Sequence, residues 1–160
     1  MDRETAILAL AVVTILAVFA AIYPVIPSNS ERFSELGVLG PTQQIGGYPS
    51  TEPAGQSFLL YVYVGNHEAA PSYYQVEVKA GNLSTAVSNS TAAAAPVILT
   101  RSLALADNSS SVFPVTVAMP TAGLNQRLIF ELWMFNSTDA QFYYTGLWNQ
   151  IFINVTSTSG

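Results

Sequence analysis

The sequence predicts an all-β protein: an immunoglobulin-like antiparallel β-sandwich of seven to eight strands, preceded by one N-terminal transmembrane α-helix. Three observations lead to this prediction. An uncharged apolar segment lies near the start of the chain, short strand-like segments recur at regular spacing after it, and no helical pattern separates those segments.

The apolar segment runs from Ala6 to Ile26 and consists almost entirely of Ala, Val, Leu, Ile and Phe. A helix that crosses a bilayer needs about 20 apolar residues, so this segment is long enough. A cleaved signal peptide is the alternative, but it would have a shorter apolar region and a basic start. We therefore expect a cytoplasmic N-terminus at 1–4, a transmembrane helix at 5–27, a linker with a possible first strand at 28–57, and an extracytoplasmic sandwich at 58–160.

Small residues gather on one side of the predicted helix. They let a second helix approach closely in lipid, so we expect this side to pack against another transmembrane helix. The alternative is that alanine is simply common in this segment. The residues of this face are Ala6, Ala9, Val13, Ala17, Ala20 and Ala21.

Five Asn-x-Ser/Thr triplets follow the apolar segment, and none precedes it. Such triplets are acceptors for N-linked glycans in exported domains. They favour an orientation in which the C-terminal domain lies outside the cell membrane and carries N-glycans. The candidate acceptors are Asn82, Asn89, Asn108, Asn136 and Asn154.

Strand signals begin with Phe33–Leu39 and become regular from residue 58. A continuous apolar run covers 58–64, and apolar and polar residues alternate over 74–79, as in a half-buried strand. The segment 112–119 alternates again, and Pro114 within it places that strand at an edge or a bulge. The predicted strands after residue 57 are 58–64, 74–78, 96–105, 112–119, 128–134, 141–145 and 151–155, with a turn at 136–139 before the strand at 141–145.

Composition excludes several kinds of function. Charged residues make up 9% of the chain, the net charge is −5 and there is no cysteine. Nucleic acid is therefore not an expected partner, and disulfides, thiolate nucleophiles and Cys-ligated metals are excluded. His67 is the only histidine, so we expect it to be structural or solvated and not part of a metal site.

No sequence motif for catalysis, phosphate binding or dinucleotide binding is present. We expect no enzyme activity, cofactor or metal. Two carboxylates could still meet in the fold as an acid/base pair, the candidates being Glu52, Glu68, Glu77, Glu131 and Asp139. Most Tyr and Trp residues should be core, but outward ones could form a sugar-binding or protein-binding patch; these residues are Tyr61, Tyr63, Tyr73, Tyr74, Trp133, Tyr143, Tyr144 and Trp148.

Several segments together resemble the DUF1616 family of archaeal membrane-associated proteins. They are the segment 31–40, Tyr48-Pro49, the segments 64–68 and 73–78, and the C-terminal segments 128–135, 143–144, 147–148 and 151–155. The similarity covers roughly residues 31 to 156. It implies an archaeal source and a β-sandwich outside the membrane, and it implies no reaction. It also implies that the segment Asn66-His67-Glu68 ends a strand and that the Asn66 side chain caps the turn that follows. This chain departs from the family in having one predicted helix before the domain, and Gln44-Ile-Gly-Gly47 in place of a Gly-Lys turn.

Three hypotheses for the function follow. The first is a non-catalytic accessory or structural subunit of a larger membrane or cell-surface assembly, whose partners are other protein subunits and the lipid bilayer. The second is a surface-filament subunit that assembles by donating the strand 32–39 to the next chain. The third is a carbohydrate-binding or ligand-binding module that uses exposed aromatic side chains, including Trp133 or Trp148.

Overall fold

Eight β-strands form two sheets in the computed structural model, which describes residues 31–157. Sheet order is β1-β3-β6 in one sheet and β2-β8-β7-β4-β5 in the other. Every pair is antiparallel except β2–β8, which is parallel. The strands are β1 (Phe33–Leu39), β2 (Thr51–Pro53), β3 (Ser57–His67), β4 (Ser72–Gly81), β5 (Val97–Leu105), β6 (Ser109–Ala118), β7 (Gly123–Asn136) and β8 (Gln141–Thr156).

This strand order is that of an immunoglobulin-type sandwich. β1, β3 and β6 correspond to strands A, B and E, and β8, β7, β4 and β5 correspond to G, F, C and C′. The predicted all-β sandwich is confirmed, with eight strands. Among residues 31–157, no helix has the length and apolarity needed to cross a membrane. The predicted transmembrane helix at 5–27 and its small-residue face lie outside the described residues.

The core lies between the sheets and is supplied by alternate residues of the strands. Leu60, Val62 and Val64 of β3 are fully buried, and they face the inner side of the five-stranded sheet. There Val76 and Phe130 are also fully buried. Burying each such side chain contributes about 1.5–3 kcal/mol, so the alternation itself determines which face of each strand turns inward.

Two boundaries differ from the sequence predictions. β1 and β2 belong to the sandwich, so the domain begins well before residue 58 and the predicted linker supplies two of its strands. The predicted strands at 141–145 and 151–155 are parts of one strand, β8. Gly146, at a φ of 83°, lets β8 continue through an irregular register with β7 near Glu131, because this backbone conformation costs glycine little.

Asn66 connects three segments at one end of the sandwich. It is fully buried, and its side-chain Nδ2 donates to the carbonyl oxygens of Leu105 at 3.1 Å and Ala106 at 3.0 Å. Its Oδ1 accepts from the Glu68 N–H at 3.1 Å and from the Tyr74 hydroxyl at 3.0 Å. The predicted cap of this turn by Asn66 is therefore present, and the same side chain also fastens the turn between β5 and β6.

Replacing Asn66 with alanine leaves several buried polar groups without partners. Each such group costs about 1–3 kcal/mol, so we expect Asn66→Ala to lower the free energy of unfolding by at least about 2 kcal/mol. Urea unfolding followed by circular dichroism measures this change. Gln56→Ala, an exposed turn position, is the control and should change stability by less than about 0.5 kcal/mol. Equal stability of the two variants would contradict the role given to Asn66.

Candidate functional site

The outer face of the five-stranded sheet carries the most unusual side chains of the domain. Core residues alternate with residues that point away from the core, and on β4 and β7 the outward set includes Lys79, Glu77, Glu131 and Trp133. In an ordinary half-exposed sheet these positions would be solvated. Here Glu131 is 0% exposed and Lys79 is 6% exposed.

The loop between β4 and β5, residues 82–96, explains this burial. We call it the covering loop, because it crosses the outer face from β4 towards β8. The Tyr144 hydroxyl donates to the carbonyl of Ser88 at 2.8 Å, and the Arg127 guanidinium donates to the carbonyl of Thr85. A side chain at Gly146 would collide with the carbonyl oxygen of Asn89, so the loop needs a glycine beneath it.

Lys79 and Glu131 form an ion pair at the centre of the covered area. Nζ of Lys79 lies 2.7 Å from Oε2 of Glu131 and 3.3 Å from Oε2 of Glu77. Both members also bind the covering loop through one residue: Oε1 of Glu131 accepts from the Ala93 N–H at 2.5 Å, and Nζ donates to the Ala93 carbonyl at 3.2 Å. The Trp133 ring centroid lies 5.4 Å from Nζ, within range of a cation–π contact.

The same area contains two of the carboxylates that the sequence offered as candidates for an acid/base pair. Glu77 and Glu131 are directly opposite each other on β4 and β7. Their geometry is that of a structural cluster, because Lys79 bridges them and the covering loop closes over Glu131. Glu52, Glu68 and Asp139 lie elsewhere in the fold. Within residues 31–157, no group of three or more His, Asp or Glu side chains is arranged to hold a metal ion.

Beyond the covering loop the outer face is open and aromatic. Tyr73 of β4, Phe135 of β7 and Phe142 of β8 occupy one cross-strand row. Their ring centroids are 5.3–6.2 Å apart in edge-to-face and tilted arrangements. Tyr73 is 45% exposed and Phe135 is 36% exposed. We call these three residues the aromatic patch.

The patch lies at one end of the sandwich. The start of β1, the β3–β4 turn, the β5–β6 turn and the β7–β8 turn share this end, since Phe33 pairs with His67 and Ser72 pairs with Leu105. We call it the N-terminal end. The covering loop begins and ends at the opposite, C-terminal end, where β8 also finishes.

A cleft of about 290 Å³ lies at the same N-terminal end, between β1 and β8. Its lining includes Phe33, Ser34, Glu68 and Tyr143. Ser34 donates to Glu68 at 2.6 Å. Burial raises the pKa of Tyr143, and the negative charge of Glu68 raises it further, so this tyrosine stays neutral at ordinary pH. Exposed aromatic side chains thus occur both in the patch on the outer face and in the cleft between β1 and β8.

The predicted structural role of His67 agrees with its surroundings on the three-stranded sheet. It is the last residue of β3 and stacks on Phe33 with centroids 4.6 Å apart. Its Nε2 lies 3.5 Å from Oε2 of Glu35, which also accepts from the Tyr63 hydroxyl at 2.6 Å. This arrangement ties the start of β1 to β3.

The predicted aromatic residues fall into three groups. Tyr74 is fully buried in the core, and Tyr73 and Tyr143 are exposed at the N-terminal end. Neither tryptophan is an exposed platform. Phe135 and Phe142 were missed as patch residues, although the alternation of β7 and the turn at 136–139 already place them opposite each other. The half-buried aromatic residues are Tyr61, Tyr63, Trp133, Tyr144 and Trp148.

These features define a β-sandwich domain of the immunoglobulin type, with one outer sheet face part covered and part open. The model of a domain of unknown function, DUF1616, matches residues 27–148, and the chain belongs to the DUF1616 family. The resemblance noted in the sequence is confirmed. No curated protein is similar to the chain in sequence.

The chain is distantly similar to a number of solved structures, including the following three. The CARDB domain of the PF1109 protein from Pyrococcus furiosus, solved in complex with di-metal ions, is 11% identical with a TM-score of 0.49, over 80% of this chain and 96% of that chain. The C-terminal domain of wzt is 10% identical with a TM-score of 0.48, over 86% of each chain. A β-glucosidase from Listeria innocua is 9% identical with a TM-score of 0.47, over 80% of this chain but only 16% of its own.

Removing the cation from the ion pair tests the role of the covered area. Lys79→Met leaves Glu131 buried without a positive partner, opposite Glu77, and we expect it to lower the free energy of unfolding by about 3–5 kcal/mol. The double variant Lys79→Met/Glu131→Leu removes the uncompensated charge and should recover most of this loss. Urea unfolding measures both, with exposed Arg101→Met as the control. A Lys79→Met variant as stable as the control would show that the pair does not fix the covering loop.

Tyr144 gives the covered area a dependence on alkaline pH. Burial, with a smaller effect of the Glu131 charge, raises the pKa of Tyr144 from its ordinary value of 10.0 to about 12. The unfolded chain therefore ionises first, so the stabilising effect of the neutral hydroxyl is complete below pH 10 and is lost as the pH rises towards 12. We expect Tyr144→Phe to reduce the loss of stability over this interval, measured by urea unfolding at a series of pH values. Unchanged pH dependence would contradict this prediction.

Proposed function

We propose that the protein is a non-catalytic, single-pass membrane protein whose exterior β-sandwich serves as an accessory subunit of a larger membrane or cell-surface assembly. In this proposal the segment 5–27 spans the cell membrane and the sandwich binds a partner subunit through the aromatic patch. The observation that carries the proposal is the position of that patch, at the end of the sandwich where the chain enters from the apolar segment.

The length of the connection limits where a partner can lie. Six residues, 27–32, separate the end of the apolar segment from β1, and an extended chain spans at most about 3.5 Å per residue. The start of β1 would thus lie within about 20 Å of the membrane surface. The aromatic patch shares this end of the sandwich, so a membrane-embedded subunit is the partner best placed to reach it.

The chemistry of this end favours protein over lipid. Protein interfaces are rich in Tyr and Phe and poor in charge at their centres, as the patch is. The surrounding turns carry more carboxylates than cations, which disfavours an anionic lipid surface. The charged residues of this end are Glu31, Arg32, Glu35, Glu68, Asp107 and Asp139.

Assembly by strand donation has less support. The predicted donor strand is seated in its own sandwich as β1, paired with β3 from Phe33 to Leu39. Its outer edge is occupied, since Asn149 donates to the carbonyl of Leu36 at 2.8 Å and the Tyr48 hydroxyl donates to the carbonyl of Val38 at 2.7 Å. Pro114 interrupts the other edge of the same sheet, and edges of this kind resist addition of a strand.

Photo-crosslinking from the patch tests the proposed interaction. A benzophenone amino acid in place of Phe135 should crosslink to one membrane protein when intact cells are irradiated. That same protein should be lost from the detergent-purified complex of a Tyr73→Ala/Phe142→Ala variant, since loss of central aromatic contacts typically costs 2 kcal/mol or more, about 30-fold in affinity.

Phe152→Ala is the matched control for this experiment. Phe152 is also on β8, points outward and is 47% exposed, but it lies near the C-terminal end. This variant should keep the partner, and thermal unfolding should show that both variants remain folded. Crosslinks to lipid, to a second copy or to a sugar polymer would contradict the proposal, as would a partner retained without Tyr73 and Phe142.

A further inference from the structure

The five candidate glycosylation sites differ in how their side-chain amides are used. An N-linked glycan is attached through Nδ2 of asparagine, and it is bulky and hydrated. The folded domain therefore accepts a glycan best where the asparagine side chain is exposed and Nδ2 is not already directed at another group of the fold. The structure separates the five sites on this criterion.

Asn82 leaves its Nδ2 free. The side chain is exposed, and its Oδ1 accepts from the Ser84 N–H at 2.9 Å and from the Ser84 hydroxyl at 2.6 Å. Among residues 31–157, Nδ2 has no hydrogen-bond partner. The hydroxyl of the acceptor triplet thus already contacts the amide that would be modified, and the nitrogen is free to react.

Asn89 also meets the criterion, in the middle of the covering loop. Its backbone carbonyl faces Gly146 on the sheet, while its side chain is exposed and makes no hydrogen bond to another described residue. The backbone at this point is held down by the bond from the Tyr144 hydroxyl to Ser88. A glycan here would project away from the sheet without moving the loop.

The two sites in turns at the N-terminal end have their amides engaged. Nδ2 of Asn136 donates to Asp139 at 2.7 Å within the β7–β8 turn, and the residue is half-buried. Nδ2 of Asn108 donates to Asp107 at 3.1 Å, and its Oδ1 lies 3.1 Å from Nδ1 of His67. A glycosylated Nδ2 keeps one hydrogen, but the sugar would have to fit beside the aspartate that this nitrogen already faces, inside a tight turn.

Asn154 lies inside β8, between β2 and β7. It is half-buried, and its Oδ1 accepts from the Asn125 N–H at 3.0 Å. Its backbone N–H donates to the carbonyl of Ser50 at 2.9 Å. Its side chain stands on the outer face of β8, on the same side as Phe152, and a glycan there would crowd the start of β7 at Asn125, which its Oδ1 holds.

We propose that Asn82 and Asn89 carry N-glycans and that Asn108, Asn136 and Asn154 do not. The donor would be a sugar carried on a lipid-linked phosphate or pyrophosphate. Nδ2 forms a bond to C1 of the sugar, the bond from C1 to the phosphate oxygen breaks, and the amide releases one proton as the lipid phosphate leaves. This inference depends on the exterior location in the proposed function, because such transfer occurs outside the cytoplasm.

Intact-mass and glycopeptide mass spectrometry of the full-length protein test this inference. The protein is purified in detergent from the membranes of a host that performs N-glycosylation. Asn82→Gln and Asn89→Gln should each remove the mass of one glycan, and the double variant should have the mass of the bare chain. Asn136→Gln and Asn154→Gln are the matched controls and should leave the mass of the attached glycans unchanged.

Three results would overturn the inference: glycans on Asn108, Asn136 or Asn154, glycans that persist in the double variant, or no glycan at any site. An epitope tag after Gly160, probed with antibody on intact cells, separates these failures from failure of the proposed function. A tag accessible from outside together with a bare chain refutes the glycan sites alone. A tag accessible only after the cells are opened refutes the exterior location as well.

Discussion

The buried ion pair between Lys79 and Glu131 determines how the outer face of the five-stranded sheet is used. Both side chains bind Ala93, one through its carbonyl oxygen and the other through its N–H. A buried charge pair adds little stability compared with apolar residues, but it is costly to separate. Its effect is therefore positional: the loop has one place on the sheet where both charges are satisfied.

The aromatic patch begins where the area covered by the loop stops. Trp133 and Tyr144 are partly sheltered by the loop and Lys79. Phe135 and Phe142, each two residues nearer to the N-terminal end of the sandwich, are not. The other end of the sandwich exposes mainly aliphatic side chains, such as Ile45 and Leu124. Aromatic rings offer more contact area at a lower entropic cost than aliphatic chains, which favours the N-terminal end as the binding end.

The predicted strands correspond to the observed ones because the alternation of apolar residues is a local property of the sequence. The two predicted strands that merged into β8 are separated in the sequence by residues 146–150, which begin with a glycine, and glycine is common in turns. At Gly146 the glycine instead continues the strand past a register irregularity and leaves room for the covering loop. That loop comes from a distant part of the chain, so nothing in the local pattern of β8 predicts its presence.

The outward positions show a second limit of sequence analysis. Lys79, Arg127 and Glu131 alternate with core residues, and their charge predicts exposure to solvent. Their burial depends on the covering loop, whose residues from Asn82 to Pro96 include no charged side chain. The patch was more accessible to prediction, because Phe135 and Phe142 follow from strand alternation and the turn between them. Their exposure depends on how far the covering loop extends across the sheet, and the local sequence pattern does not show this.

The small number of charged residues has a structural consequence for solubility. The whole chain has five Lys and Arg residues, and two of them, Lys79 and Arg127, are buried beneath the covering loop. Surface charge normally keeps a small domain soluble. Here two of the five basic side chains are buried and add no charge to the surface. Hydroxyl and amide side chains replace it on the surface, and glycans on Asn82 and Asn89 would hydrate the uncharged covering loop in particular. Burial of charge in the sheet and attachment of sugar above it would then be two parts of one arrangement: the first holds the loop in place, and the second keeps its outer side in water.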